Sequence, residues 1–151
     1  MINTTLCYIE KDNKYLMLHR NKKEHDLNEG KWIGVGGKIK DSETPEECII
    51  REVFEETGLH IKNYKYRGLV TFINTKHKSE YIFVYTTTAF TGELKECNEG
   101  TLQWVSKDEL LDLTIWEGDK FFLQKILDNN KQPFSIKLIY DGDTLVSKEE
   151  F

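Results

Sequence analysis

The chain has 151 residues, with 21 Lys and Arg against 26 Asp and Glu and a formal net charge of −5. That length suits one domain over residues 1–151, and the acidic balance excludes a general binder of nucleic-acid polymer, whose affinity comes from Lys and Arg neutralising phosphates. No apolar run approaches the ~20 residues of a membrane span and the start, MINTTLCYIEKDNKYL, lacks a signal-peptide pattern, so no membrane contact is expected and a cytoplasmic location is the default.

In chain order, residues 4–10 and 15–19 read as strands joined at the polar KDNK turn. The run KWIGVGGKI follows, and then a helix with strong end signals. Thr44 suits the N-cap, Pro45 the first helical position and Glu47 the reciprocal place of a capping box, while Gly58 suits the stop. Ile49, Ile50, Val53 and Phe54 supply its apolar stripe. Residues 66–74 and 81–90, rich in β-branched and aromatic types, predict two more strands, and 102–105 a shorter one after KECNEG. Ser106 with Glu109 predicts the cap of a short helix through Leu111, Asp119–Leu127 a second helix, and 134–140 with the DGD turn a closing hairpin. Strands interleaved with few helices predict a mixed sheet with helices on its faces. Cys7, Cys48 and Cys97 are too few and too scattered for a disulfide framework, and the four histidines show no metal-ligand spacing.

Within the first helix, REVFEE sets Glu52, Glu55 and Glu56 within an arc of roughly 100°. Like charges three and four residues apart repel by a few tenths of a kcal/mol per pair, so the arc calls for a cation. Mg²⁺ fits, or Mn²⁺: hard ions take carboxylate oxygens and are commonly shared with substrate phosphates. Arg51, four before Glu55, is placed to pair with it and hold its orientation. The alternative is an ordinary solvated acidic face.

From Gly37 to Leu59 the chain reads GKIKDSETPEECIIREVFEETGL, which matches the Nudix box at every specified position: Gly37, Glu43, Arg51, Glu52, Val53, Glu55, Glu56, Gly58 and Leu59. The chain therefore resembles the Nudix hydrolases along nearly its whole length. The resemblance implies an α/β/α sandwich with a mixed β-sheet, and a loop-helix-loop that binds divalent metal and positions the diphosphate of the substrate. It implies Glu52, Glu55, Glu56 and the Gly37 carbonyl as metal ligands, with Glu99 of ECNEG as an additional carboxylate; an ordinary turn glutamate is the other reading of Glu99. One glutamate takes the proton of the attacking water, and Glu52 and Glu99 are both open candidates. Lys38 is assigned to neutralising phosphate charge and Arg20 to meeting the phosphates, each against the alternative of a solvated surface charge.

The tail from TIWEGDKFF onward resembles the Nudix enzymes that destroy oxidised purine nucleoside triphosphates, which makes Trp116 a stacking candidate and Asp119 a hydrogen-bonding one. Trp116 has a core role as its alternative, and Asp119 a helix-capping one. Ile33 stands where relatives carry an asparagine, and Gly118 where a second aspartate occurs; both changes remove polar groups that discriminate between purines. The expected activity is a metal-dependent pyrophosphohydrolase of the MutT type, acting on a small nucleotide such as 8-oxo-dGTP as a monomer or homodimer. Nucleotide sugars, dinucleoside polyphosphates and a pterin triphosphate are the alternative substrates. A non-catalytic nucleotide-binding module is opposed by the completeness of the box.

Overall fold

In the computed structural model, which describes residues 1–151, β1 (Ile2–Lys11) turns back into β2 (Lys14–His19) through Asp12 and Asn13. Both turn residues have positive φ, 51° and 62°, the left-handed pair that a two-residue hairpin needs and that Asp and Asn tolerate. Only Glu10 with Tyr15 and Lys11 with Lys14 pair across this hairpin before the strands diverge. β2 leaves to pair with β3 (Trp32–Ile33) and β8 (Thr101–Ser106), and the opened edge of β1 receives the glycine loop through bridges Cys7 to Val35 and Thr4 to Lys38. That divergence makes room for a cleft.

On its other edge β1 runs parallel to β6 (Glu80–Thr87), which pairs antiparallel with β5 (Lys65–Asn74). Beyond β5 lie β9 (Phe134–Asp141), parallel to it, and the antiparallel edge strand β10 (Thr144–Glu150). The sheet is mixed, as expected. α1 (Pro45–Thr57) covers one face, burying Cys48, Ile49 and Val53 against Cys7, Ile9 and Val35. α2 (Asp119–Leu127) covers the opposite face, burying Phe122, Leu123 and Ile126 against Tyr8, Ile136 and Leu138. Cys7 and Tyr8 serve opposite cores because successive strand residues face opposite ways. No helix is long and apolar enough to cross a membrane.

The start of α1 is closed by the expected reciprocal pair, Glu47 N to Thr44 Oγ1 and Thr44 N to Glu47 Oε1, both at 3.0 Å. Gly58 ends it at φ 81°. Its apolar stripe is narrower than the sequence suggests. Ile50 and Phe54 are exposed on the outer face, and Phe54 stacks on His60 at 4.4 Å instead of entering a core.

Three further expectations are corrected. The strand predicted over 81–90 breaks after Thr87, whose hydroxyl donates to the Lys62 carbonyl and accepts the Ala89 amide. The remainder, β7 (Ala89–Thr91), pairs with β4 (His60–Lys62) as a separate ribbon. After Ser106 there is only a 3-10 turn, Leu110–Asp112, because Ser106 Oγ accepts the Asp108 amide at 3.3 Å and makes no box with Glu109. Finally, Asp119 does not cap α2: it is the first helical residue, behind Gly118, and the end has no side-chain cap. Gly118 instead donates its amide to the Tyr140 hydroxyl at 2.6 Å. A Cβ there would lie 2.5 Å from Leu138 Cδ1 and 2.6 Å from the Tyr140 hydroxyl oxygen, so a larger residue would have to displace these side chains.

Candidate active site

Between the opened edge of β1, the glycine loop, α1 and the start of α2 lies a cleft of about 440 Å³. Its floor is set by glycine. A Cβ on Gly36 would fall 1.9 Å from the Thr5 carbonyl oxygen, and one on Gly37 would fall 2.5 Å from the carboxyl carbon of Glu52. The backbone can thus press onto both β1 and α1. The Gly37 carbonyl, the expected ligand, accepts the Thr5 amide at 2.9 Å. The carbonyl of Gly36, beside it in the cleft, accepts no hydrogen bond and has both lone pairs to offer.

The three box glutamates are not equivalent. Glu52 and Glu56 line the cleft; Glu55 does not, its side chain being 54% exposed and held by Arg51 Nη1 at 3.3 Å. Arg51 also donates to Glu52 Oε1 at 2.7 Å and to the Lys38 carbonyl at 3.1 Å, and forks onto Glu43 at 2.7 and 2.9 Å. Burial raises the Glu52 carboxyl, with Arg51 opposing. Glu56 is buried, and its Oε2 finds no hydrogen-bond partner. Burial first, then the Glu99 carboxylate beside it, pushes its affinity for a proton well up.

Glu99 reaches this cluster from the loop before β8. Arg20 Nη1 donates to it at 2.7 Å and Lys23 Nζ at 3.0 Å. Burial works to raise its carboxyl, but bonds with Glu56 and Lys23 and the charge of Arg20 hold it below the ordinary carboxylate range. Arg20 is itself shared, because its Nε donates to Asp26 at 2.6 Å. Lys38 lines the cleft from the exposed side of the glycine loop.

No three acidic, His or Cys side chains converge as a ready cage for an ion, since Arg51 draws Glu52 away and Arg20 draws Glu99. The donor set nevertheless fits a divalent cation. Glu56 presents a buried, unpartnered oxygen, a costly arrangement that a cation relieves, and the other candidates are hard oxygen donors.

The far end of the cleft is built by Ile33, Trp116, Asn28, Phe72, Glu80 and Asp119. Trp116 is at once cleft wall and core: it is 5% exposed, meets Phe72 and Tyr140 edge-on, and donates its indole N–H to Asn28 Oδ1 at 2.7 Å. Lys31 Nζ lies over its ring at 4.3 Å. Burial drives the Asp119 carboxyl up to about 8, with Lys31 opposing and Glu80 adding to the rise. Asp26, Asn28 and Glu80 were not anticipated from the sequence. They sit outside any motif, and only the fold shows that 20–28 and the first residue of β6 face the same space.

Residues 2–126 match the NUDIX domain family. An uncharacterized Nudix hydrolase of Bacillus subtilis is 33% identical over 124 residues, covering 79% of this chain and 75% of that protein. The oxidized purine nucleoside triphosphate hydrolase of Mus musculus is 26% identical over 127 residues, covering 83% and 80%. Among solved structures, a mutator MutT protein from Bacillus halodurans superposes with a TM-score of 0.87 at 28% identity, covering 99% of this chain and 97% of its own.

Proposed function

The chain belongs to the NUDIX domain family and is a MutT-type hydrolase acting on acid anhydrides, and we propose that it cleaves a nucleoside triphosphate to the monophosphate and pyrophosphate. Within that class an oxidised purine such as 8-oxo-dGTP is the favoured substrate. The observation that carries the reading is the layout of one cleft: carboxylates of α1 and the Glu99 loop at one end, an indole with a partly buried carboxyl at the other. That spacing suits a ligand with phosphates at one end and a flat polar group at the other. The similarity to the mouse enzyme supports the purine.

Glu52, Glu56 and Glu99 are proposed to hold the divalent cation, with a backbone carbonyl of the Gly36–Gly37 pair. Family members generally use such ions; Mg²⁺ is proposed, with Mn²⁺ as the substitute. When bound, the ion polarises phosphate oxygens and acidifies a water. Glu55 stays outside, and with Glu43 it fixes the Arg51 guanidinium that orients Glu52. Lys38 and Arg20 face the phosphates, Arg20 by exchanging part of its contact with Asp26 and Glu99 for phosphate oxygens. Glu52 or Glu99 accepts the proton of the attacking water. Glu56 is assigned to the cation and not to the water, since burial beside the Glu99 carboxylate disfavours its ionised form when nothing is bound. The whole chain, 1–151, is proposed to act as one catalytic domain on a small nucleotide.

A substrate screen with Mg²⁺ tests this reading, scoring pyrophosphate against orthophosphate over normal and oxidised nucleoside triphosphates and nucleotide sugars. Pyrophosphate from a purine triphosphate is expected. Turnover confined to nucleotide sugars would overturn it.

A further inference from the structure

We propose that Glu80 is a specificity-determining residue that, together with Asp119, accepts hydrogen bonds from the adjacent ring N–H and 2-amino group of a guanine-type base. The proposal rests on the triphosphatase reading above and narrows it to a base class.

Glu80 opens β6 in register with Ile2 of β1 on one side and Phe72 of β5 on the other. Strand alternation puts it on the same face as Ile82, and all four residues line the cleft. A carboxylate therefore interrupts an otherwise apolar row. Burial raises its carboxyl, and the Thr4 hydroxyl and the charge of Lys38 only partly offset that. An acid in such a place is unfavourable for the empty fold, which points to a ligand.

The acids of the cleft fall into two groups. Glu52, Glu56 and Glu99 act on one another and on Arg20 and Arg51, and Asp26 takes the Arg20 Nε–H; Glu80 acts on Asp119, with Lys38 and Lys31 as the nearby cations. With the first group assigned to cation and phosphates, the second is left for the other end of the substrate. Ile33 has no polar group here, and the Trp116 indole N–H is given to Asn28 Oδ1, which leaves the Asn28 amide N–H groups as donors beside two carboxyl groups. A ligand with two adjacent donors of its own answers that pair of acids. Guanine carries N1–H and the 2-amino group side by side, a match for two carboxyl groups, whereas adenine offers one amino group on that edge.

The test compares kcat/KM for dGTP with that for dITP, which lacks only the 2-amino group, in wild type, Glu80→Met and Glu80→Gln, with melting curves for each. Wild type should prefer dGTP by about 10–100-fold, the scale of one hydrogen bond to a charged group. Glu80→Met should bring the ratio close to one by losing dGTP turnover and should melt no lower than wild type, while Glu80→Gln, which keeps an uncharged acceptor, should give a ratio between the two. A wild-type ratio near one, or a ratio unchanged in two folded variants, overturns the proposal. Absence of pyrophosphate from either nucleotide with wild type would overturn instead the triphosphatase reading beneath it.

Discussion

Arg51 and Glu43 form a two-pronged ion pair, Nε to Oε2 at 2.7 Å and Nη2 to Oε1 at 2.9 Å, which ties α1 to the loop that precedes it. The fork leaves Nη1 to hold Glu52. Lysine offers a point charge and cannot serve three carboxylates in this planar way. Arg51→Lys should therefore weaken divalent-metal affinity by about 10–100-fold, as loss of a ligand-orienting partner does. It should also lower Tm at neutral pH. The Glu43 carboxyl is held down to about 2, chiefly by its bond from Arg51, so its contribution is present above the ordinary carboxylate pKa and lost as pH falls from about 4.5 towards 2. The Tm gap between the two proteins should narrow over that window; a constant gap would show that the fork is not its source.

The contrast between Glu56 and Glu55 makes a ranking testable. Glu56 is buried in the cleft with an unpartnered oxygen, and Glu55 is exposed outside it. Glu56→Gln should lose more activity than the ~10–100-fold of an outer partner, and Glu55→Gln no more than that. A readout without turnover is the stabilisation by Mg²⁺, worth about 2.7 kcal/mol when the ion stands at a hundred times its Kd. Glu56→Gln should abolish this shift while the ion-free protein melts no lower than wild type, because an unpaired buried acid has been removed. Chelation should act on wild type as Glu56→Gln does. A larger loss in Glu55→Gln would reverse the assignment.

These distinctions mark where sequence stops informing. The ends of α1 were legible because Thr44, Glu47 and Gly58 act through neighbours within four residues. The acidic arc was legible as spacing, but which glutamate enters the cleft depends on the Arg51 fork and on Gly37 pressing against Glu52, contacts that span the loop. Asp119 read equally well as a cap. Only the Tyr140 hydroxyl, which takes the Gly118 amide from the far end of β9, shows why the helix starts without one. Glu80 left no trace, since a single glutamate at a strand start carries no periodic signal.

Trp116 belongs to two environments, and two substitutions separate them. Trp116→Ala removes an indole packed on Phe72 and Tyr140 and should cost about 3–5 kcal/mol of stability. Trp116→Phe keeps an aromatic face but frees Asn28 from its 2.7 Å bond. It should fold, and it should raise KM for nucleoside triphosphates with little change in kcat, because stacking and a repositioned Asn28 act on ground and transition states alike. Equal KM in Trp116→Phe and wild type would leave the indole with a core role alone.

Asp119 makes the strongest claim about pH. Its carboxyl is pushed by burial from an ordinary 3.8 up to about 8, so the folded protein holds this proton more tightly than the unfolded chain does. The contribution to stability is complete below pH ~4 and is lost as pH rises through 8, the opposite sign to that of Glu43. Relative to Asp119→Asn, wild type should therefore lose stability steadily between pH 4 and 8 and level off above. The same proton bears on the base. A protonated carboxyl donates, whereas an ionised one only accepts, and oxidation of guanine at C8 exchanges an acceptor at N7 for a donor. If the base turns its N7 edge to Asp119 and leaves Glu80 alone on the 2-amino group, an ionised Asp119 should favour 8-oxo-dGTP, and Asp119→Ala should reduce that preference over dGTP by about 10–100-fold, one or two hydrogen bonds in scale. Measuring kcat/KM for both nucleotides from pH 6 to 9 joins the two claims, because the preference should change around pH 8, where the stability difference levels off. If the ratio is flat across that range and survives Asp119→Ala, base selection lies with other residues of the cleft.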